Sequence, residues 1–198
     1  MINRKYWDNF YKSNKAPISE SSFAKFTFEF LKGNDISKYN LIDIACGNGR
    51  DTFFFSKMGI SSTGIDLSVN PKSKKNPKFI KTNLLTFNYD EYNILYLRFI
   101  IHSLTETELD ILLENISNSK GDKMIFIETR STKGVTNEEK SETFFKSSIG
   151  EEHFRMLYSK EYLSNKLKKF NILYSIEDRG LSVYKNDDPY CIRYILKK

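Results

Sequence analysis

Only two cysteines occur in the 198 residues, at positions 46 and 191. So sparse and distant a pair argues against a disulfide framework and fits a reducing cytoplasm. No apolar run approaches the roughly 20 residues that cross a bilayer. The opening residues, through Trp7 and Asp8, are too polar for a secretion signal, so a cytoplasmic location without membrane attachment is expected. Internal repeats and low-complexity tails are lacking, as is the lysine-bearing loop that cradles nucleotide phosphates. The formal charge is +6. Its lysines are scattered, however, and the densest run (Lys72, Lys74, Lys75) reads as a loop. Without a basic stripe interleaved with aromatics, a nucleic-acid partner is not expected. The charge suits a small anionic molecule instead; no metal site is expected, and oligomeric state is not indicated.

The sequence does contain a strand, a Gly-x-Gly turn and a helix in succession. An apolar run at 40–45 enters a turn holding Gly47 and Gly49, and the following segment at 50–58 reads as a short helix stopped by Gly59. This lets a backbone approach a nucleoside-bearing ligand closely, and Asp66, ending a second apolar run at 61–66, stands where a ribose is gripped. Further strands are expected at 78–81, 93–99, 124–128, 170–177 and 190–196, with helices at 106–116 and 160–169. Thr105 and Glu108 form a capping box for the first of those helices. The alternation predicts an α/β, Rossmann-like, doubly wound sheet of seven strands in one domain spanning 1–198. The last two strands have no helix between them, so the final one is expected to be antiparallel. Before the sheet, residues 1–33 read as a helical lid whose aromatics, Tyr6, Tyr11 and Phe23 among them, cover a ligand. Residues 130–158 break the rhythm as a polar insertion on the substrate side. A dinucleotide dehydrogenase would need a third glycine where Thr52 stands.

With Asp43–Gly49, Gly64–Asp66 and Thr82–Leu84 as its motifs, the chain resembles the class I S-adenosylmethionine-dependent methyltransferases over nearly its whole length. The resemblance implies that Ala45, Cys46, Gly47 and Gly49 back the methionine portion and that Asp43 reaches its amino group. It further implies Asp66 on the ribose hydroxyls, Asn83 at the adenine in place of the usual aspartate, and Arg50, Asp51, Leu67, Leu84 and Arg98 as cofactor neighbours. A narrower similarity is carried by Tyr96–Ser103, Glu128–Arg130, His153–Arg155 and Gly180–Tyr184 with Asp188, Pro189 and Arg193. These segments are similar to small bacterial methyltransferases of surface-polysaccharide (capsule) gene clusters, some of them tellurite-resistance-like.

Ligands of open parallel sheets sit beyond the carboxyl ends of the strands. Arg98, His102, Glu128, Arg130, His153 and Arg155 should therefore converge on the methyl acceptor. His102 is the candidate general base, with Arg98 and His153 beside it and Glu128, Arg130 and Arg155 as substrate contacts. Arginines around a cavity suit a carboxylate, phosphate or sugar-phosphate, which guanidinium binds bidentately. The expectation is O-methylation of a small polar or anionic polysaccharide precursor. The alternatives are an N- or nucleic-acid methyltransferase, a metalloid methyltransferase, and a cofactor-binding protein without catalysis.

Overall fold

The computed structural model describes residues 4–13, 16–68, 71, 76–146 and 152–198. Two helices come first, α1 (Arg4–Lys12) and α2 (Ser22–Leu31). The Ser21 side chain accepts from the Ala24 amide at 3.0 Å and starts α2, whose Phe23, Ala24, Thr27 and Leu31 are buried at helical spacing. The alternating part follows as β1 (Asn40–Ile44), α3 (Arg50–Lys57), β2 (Ser61–Asp66), β3 (Lys78–Lys81), β4 (Ile94–Arg98), α4 (Glu106–Asn118) and β5 (Met124–Arg130). Then come β6 (Lys140–Lys146), β7 (Glu152–Tyr158), α5 (Lys160–Lys166), β8 (Asn171–Asp178) and β9 (Cys191–Lys197).

The seven-stranded sheet has the order β3-β2-β1-β4-β5-β9-β8. Its first five strands are mutually parallel, and β9 runs antiparallel to both neighbours, as its short polar connection to β8 required. Successive side chains of a strand point to opposite faces, so the sheet feeds two cores. Leu95, Leu97, Ile125 and Ile127 join α4 and α5 on one face, while Ile94, Tyr96 and Phe126 meet α2 and α3 on the other. The capping box of Thr105 and Glu108 is formed and sets the start of α4, which buries Leu109, Leu112, Leu113 and Ile116. Truncating one such leucine to alanine costs about 2–5 kcal/mol, the lost transfer energy plus a cavity.

The expected polar insertion holds regular structure. β6 and β7 pair antiparallel from Lys140↔Tyr158 to Lys146↔Glu152. The Ser131↔Tyr158 bridge ties this ribbon to the end of β5. Its polar sequence reflects the exposed strand β6, where Phe144 lies open opposite Phe154, while Phe154 and Leu157 of β7 are buried. The basic run at 72–75, along with Gly150 and Glu151 of the insertion, lies outside the described residues. The helix expected at 160–169 ends at Lys166, and a turn through Phe170 leads into β8.

Candidate active site

After Ile44 the chain turns through Ala45, Gly47 and Gly49, whose φ angles are 63°, 57° and 78°. Two glycines make this left-handed path accessible. The path turns the Gly47 amide onto Asp66, whose Oδ2 accepts it at 2.9 Å, while Oδ1 accepts the Ser68 amide at 2.7 Å. A carboxylate has about four acceptor sites, enough for Asp66 to hold these amides and ligand hydroxyls together. A Cβ on Gly47 would stand 2.1 Å from the Tyr11 hydroxyl, so α1 closes directly over the turn.

Two more carboxylates flank the turn. Asp43 accepts from Thr52 Oγ1 at 2.6 Å. Asp51 accepts from the Ser21 amide and hydroxyl, both at 2.7 Å, and from the Tyr96 hydroxyl at 2.8 Å. Burial, and next the charge of Asp51, push the Asp43 carboxyl up to about 8. Burial and the nearby Asp66 likewise hold the Tyr11 hydroxyl above its ordinary range, so it is a neutral donor. A cationic ligand at this turn would favour the ionised form of Asp43.

A cavity of about 390 Å³ lies over the carboxyl ends of β1, β2, β4 and β5. At its β1–β2 end it is lined by Asp43, Ala45, Cys46, Asp66, Leu67 and Leu84. Arg50, Asp51 and Arg98 are also in its wall, and Tyr6, Trp7, Phe10 and Tyr11 of α1 cover it. Toward β5 it is bounded by Arg130, His153, Arg155, Tyr184 and Asp187. Most of the cofactor neighbours that the sequence suggested thus border one space, reached by Gly47 and Gly49 through their turn.

Four suggested residues stand elsewhere. Asn83 is engaged in its own turn, its Oδ1 accepting from the Leu85 amide at 3.0 Å. Phe23 is fully buried between Tyr96, at 5.0 Å, and Phe26, so it belongs to the core beneath the lid because its helical face points at the sheet. Glu128 is fully buried in a row across three strands, paired in register with Arg98 on β4 and Arg193 on β9. Arg98 Nε donates to Glu128 Oε1 at 3.1 Å, and Arg193 Nε donates to Oε2 at 2.8 Å. Both carboxylate oxygens face arginines, so Glu128 positions Arg98 from behind the cavity wall. Burial works against the Arg98 charge, yet Glu128 holds the guanidinium above its ordinary value.

His102 is the fourth. It lies buried in a 3-10 turn (Ile101–Ser103), and its Nδ1 accepts the Arg130 amide at 3.2 Å and sits 3.0 Å from Thr129 Oγ1. An Nδ1 that accepts an amide carries no proton, so the ring is the Nε2–H tautomer. Burial, then the charges of Arg155 and Arg130, push its pKa well down. It is a neutral ring bracing the end of β5. His153 is the histidine in the cavity wall: its ring stacks on Tyr6 at 4.0 Å, and its Nε2 accepts from Arg155 Nε at 3.2 Å.

Several lining residues carried no site role in the sequence reading. Trp7 and Phe10 belong to the same aromatic stripe as Tyr6 and Tyr11, and their spacing was the available signal. Ser182, Tyr184 and Asp187 come from the β8–β9 connection, which folds back so that Ser182 Oγ accepts from Arg98 Nη2 at 3.2 Å. No local pattern marks that return.

No protein-family model and no curated protein matches this sequence. Solved structures do match. A methyltransferase from Methanosarcina mazei, described as S-adenosylmethionine-dependent, aligns over 85% of this chain and 96% of its own, with a TM-score of 0.67 and 14% identity. The 1,6-didemethyltoxoflavin N1-methyltransferase of Burkholderia thailandensis, with S-adenosylhomocysteine and its substrate bound, aligns over 89% and 76% at TM-score 0.67 and 14% identity. A glycopeptide N-methyltransferase complexed with S-adenosylhomocysteine gives 0.64 over 90% of both chains at 13% identity. The fold is that of these methyltransferases. Within the methyltransferase fold, this chain carries the β6–β7 ribbon and the β8–β9 connection as walls of the cavity's β5 side.

Proposed function

We propose that this protein is an S-adenosylmethionine-dependent methyltransferase acting on a small polar, anionic acceptor. The observation that carries the reading is the Gly47–Asp66 hydrogen bond with Asp43 beside it: a backbone turn flanked by carboxylates, with no phosphate-binding lysine among the described residues that line it. That donor set fits a zwitterion with a sulfonium centre and ribose hydroxyls. Asp66 would hold the ribose, Asp43 the ammonium group, and Leu67 and Leu84 the adenine faces. When bound, the cofactor supplies an electrophilic methyl group.

The work left to the chain is alignment, exclusion of water and removal of a proton. Tyr6, Trp7 and Tyr11 shut the space from above, and Arg98, fixed by Glu128 and Ser182, borders it between the two ends. The acceptor lies toward Arg130, His153 and Arg155. An oxygen acceptor, such as a hydroxyl of a nucleotide-linked sugar or sugar phosphate of the polysaccharide-precursor kind, would pass its proton to His153 or Asp187. One observation favours nitrogen as a second reading: His153 Nε2 already accepts from Arg155 and His102 stands behind the wall, so both imidazoles have their acceptor nitrogen engaged. An amine needs less base than a hydroxyl.

Incubation with methyl-labelled S-adenosylmethionine and a panel of nucleotide-sugars, sugar phosphates and their amino counterparts, read by mass spectrometry, tests the assignment. Label on a hydroxyl is expected. Label confined to amino sugars would transfer the assignment to nitrogen.

A further inference from the structure

Helix α1 touches both ends of the cavity. Its C-terminal turn carries Tyr11, whose hydroxyl lies 2.1 Å from where a Cβ on Gly47 would stand, over the turn whose amide Asp66 accepts. Its N-terminal turn carries Tyr6 and Trp7 to the acceptor side. There the Tyr6 ring stacks on His153 at 4.0 Å, and the Trp7 ring meets the same imidazole edge-on at 5.4 Å. Trp7 also stacks on Tyr11 at 5.9 Å. Four residues apart, these two share one face of the helix. A run of rings thus leads from the Gly47–Asp66 turn through Tyr11 and Trp7 to His153.

The two sides of the His153 contact differ in how firmly they are held. His153 is buried on β7, paired in register with Phe145 of β6, and its neighbour Phe154 is anchored in the interior. Arg155 Nε donates to its Nε2 at 3.2 Å and holds the plane of the ring. Helix α1 has less support of its own. Its nine residues are too few for a stable isolated helix, so its order depends on what its aromatic stripe meets. A ring pair of this kind contributes up to about tenfold to such an equilibrium, or about 1.4 kcal/mol.

We propose that His153 is a positioning residue for the donor end: through Tyr6 and Trp7 it seats α1, and so holds Tyr11 over the Gly47–Asp66 turn. This role needs the flat ring of His153 and not its proton chemistry. The donor beneath Tyr11 rests on the methyltransferase reading, whereas the seating of α1 by His153 does not. A donor that is covered only by the docked helix has an apparent affinity that falls with the docked fraction. A residue on the acceptor wall, remote in sequence from Gly47, thereby governs how tightly the donor is held.

Trp7 is the single tryptophan of the chain, so acrylamide quenching of its emission reads α1 directly. Calorimetric titration of S-adenosylhomocysteine and quenching of Trp7 are compared in wild type, Tyr6→Ala, His153→Gln and His153→Phe. In wild type, S-adenosylhomocysteine should lower the quenching. Tyr6→Ala and His153→Gln should each weaken S-adenosylhomocysteine about fivefold and raise the quenching of the free protein. Glutamine keeps a partner for Arg155 but no ring. His153→Phe keeps a ring but no nitrogen, and should return both readings to within about twofold of wild type. Unchanged or tighter binding in His153→Gln, or His153→Phe as weak as His153→Gln, overturns the proposal. Failure of wild type to bind S-adenosylhomocysteine would instead remove the methyltransferase reading. The quenching of free His153→Gln against wild type would then decide the seating of α1 by itself, and equal quenching would overturn it.

Discussion

Asp43 gives the site its sharpest physical signature. In the folded protein its carboxyl is raised to about 8 by burial and by Asp51, from an ordinary value of 3.8. At pH 7 the folded state therefore keeps a proton on Asp43 that the unfolded chain has lost. At about 1.4 kcal/mol per pH unit, this disfavours folding by several kcal/mol at pH 7 and by less than half as much at pH 5. The sign follows from the raised value: the group's contribution is fully present below the unfolded pKa and is lost as pH rises toward 8. An asparagine side chain in its place would not titrate, and its amide oxygen can still accept from Thr52. The variant Asp43→Asn should therefore be more stable than wild type without cofactor, by a margin that widens between pH 5 and 7 and levels off above about 8. Urea denaturation of both proteins from pH 5 to 9 measures the margin directly. A margin independent of pH would refute the reasoning, because Asp43 would then ionise as freely folded as unfolded. Saturating S-adenosylmethionine should shrink the margin, since its ammonium group favours the carboxylate. A group that weakens the empty fold and holds a ligand is the usual stability–function conflict at a site.

Asp66→Ala should weaken S-adenosylmethionine binding by about 1–3 kcal/mol, the scale of hydrogen bonds lost to a buried group, read by calorimetry. Glu128→Ala should lower stability by about 3–5 kcal/mol in chemical denaturation, because Arg98 and Arg193 are left buried without their shared carboxylate; a loss under about 1 kcal/mol would mean the row relaxes into water. His102, held neutral, works against the Asp43 effect in acid. Below pH about 6.5 the unfolded chain takes up a proton that the folded ring refuses, so this contribution falls by up to about 1.4 kcal/mol per unit as the Asp43 contribution grows. Stability of His102→Gln should therefore rise more steeply than that of wild type on acidification from about pH 6.5 to 5, and a slope identical to wild type would show that the His102 ring does not titrate as argued.

The sheet could be read from the sequence because its strands are contiguous apolar runs and its turns carry glycine. The reversal of β9 could be read because a short polar connection cannot make a parallel crossover. The β6–β7 ribbon was not readable as strands, since Lys140, Ser141, Glu142 and Thr143 give no apolar alternation and, among the described side chains, only those of β7 reach the core. The Gly47–Asp66 turn was legible because its chemistry is local in sequence. The fates of Glu128 and His102 were not. Glu128 is committed by a cross-strand register with Arg98 and Arg193, and His102 by the amide of Arg130, partners 28 to 65 residues distant. Asp187 is invisible for the same reason: nothing near it in the chain announces an arginine 57 residues upstream.

The most direct measurement is calorimetric titration of S-adenosylmethionine into the wild-type protein near pH 8, where Asp43 is half ionised. Saturable one-to-one binding in the micromolar range, about −8 kcal/mol, is the expected result. No binding at millimolar ligand would contradict the assignment of the Gly47–Asp66 turn to a methyl donor.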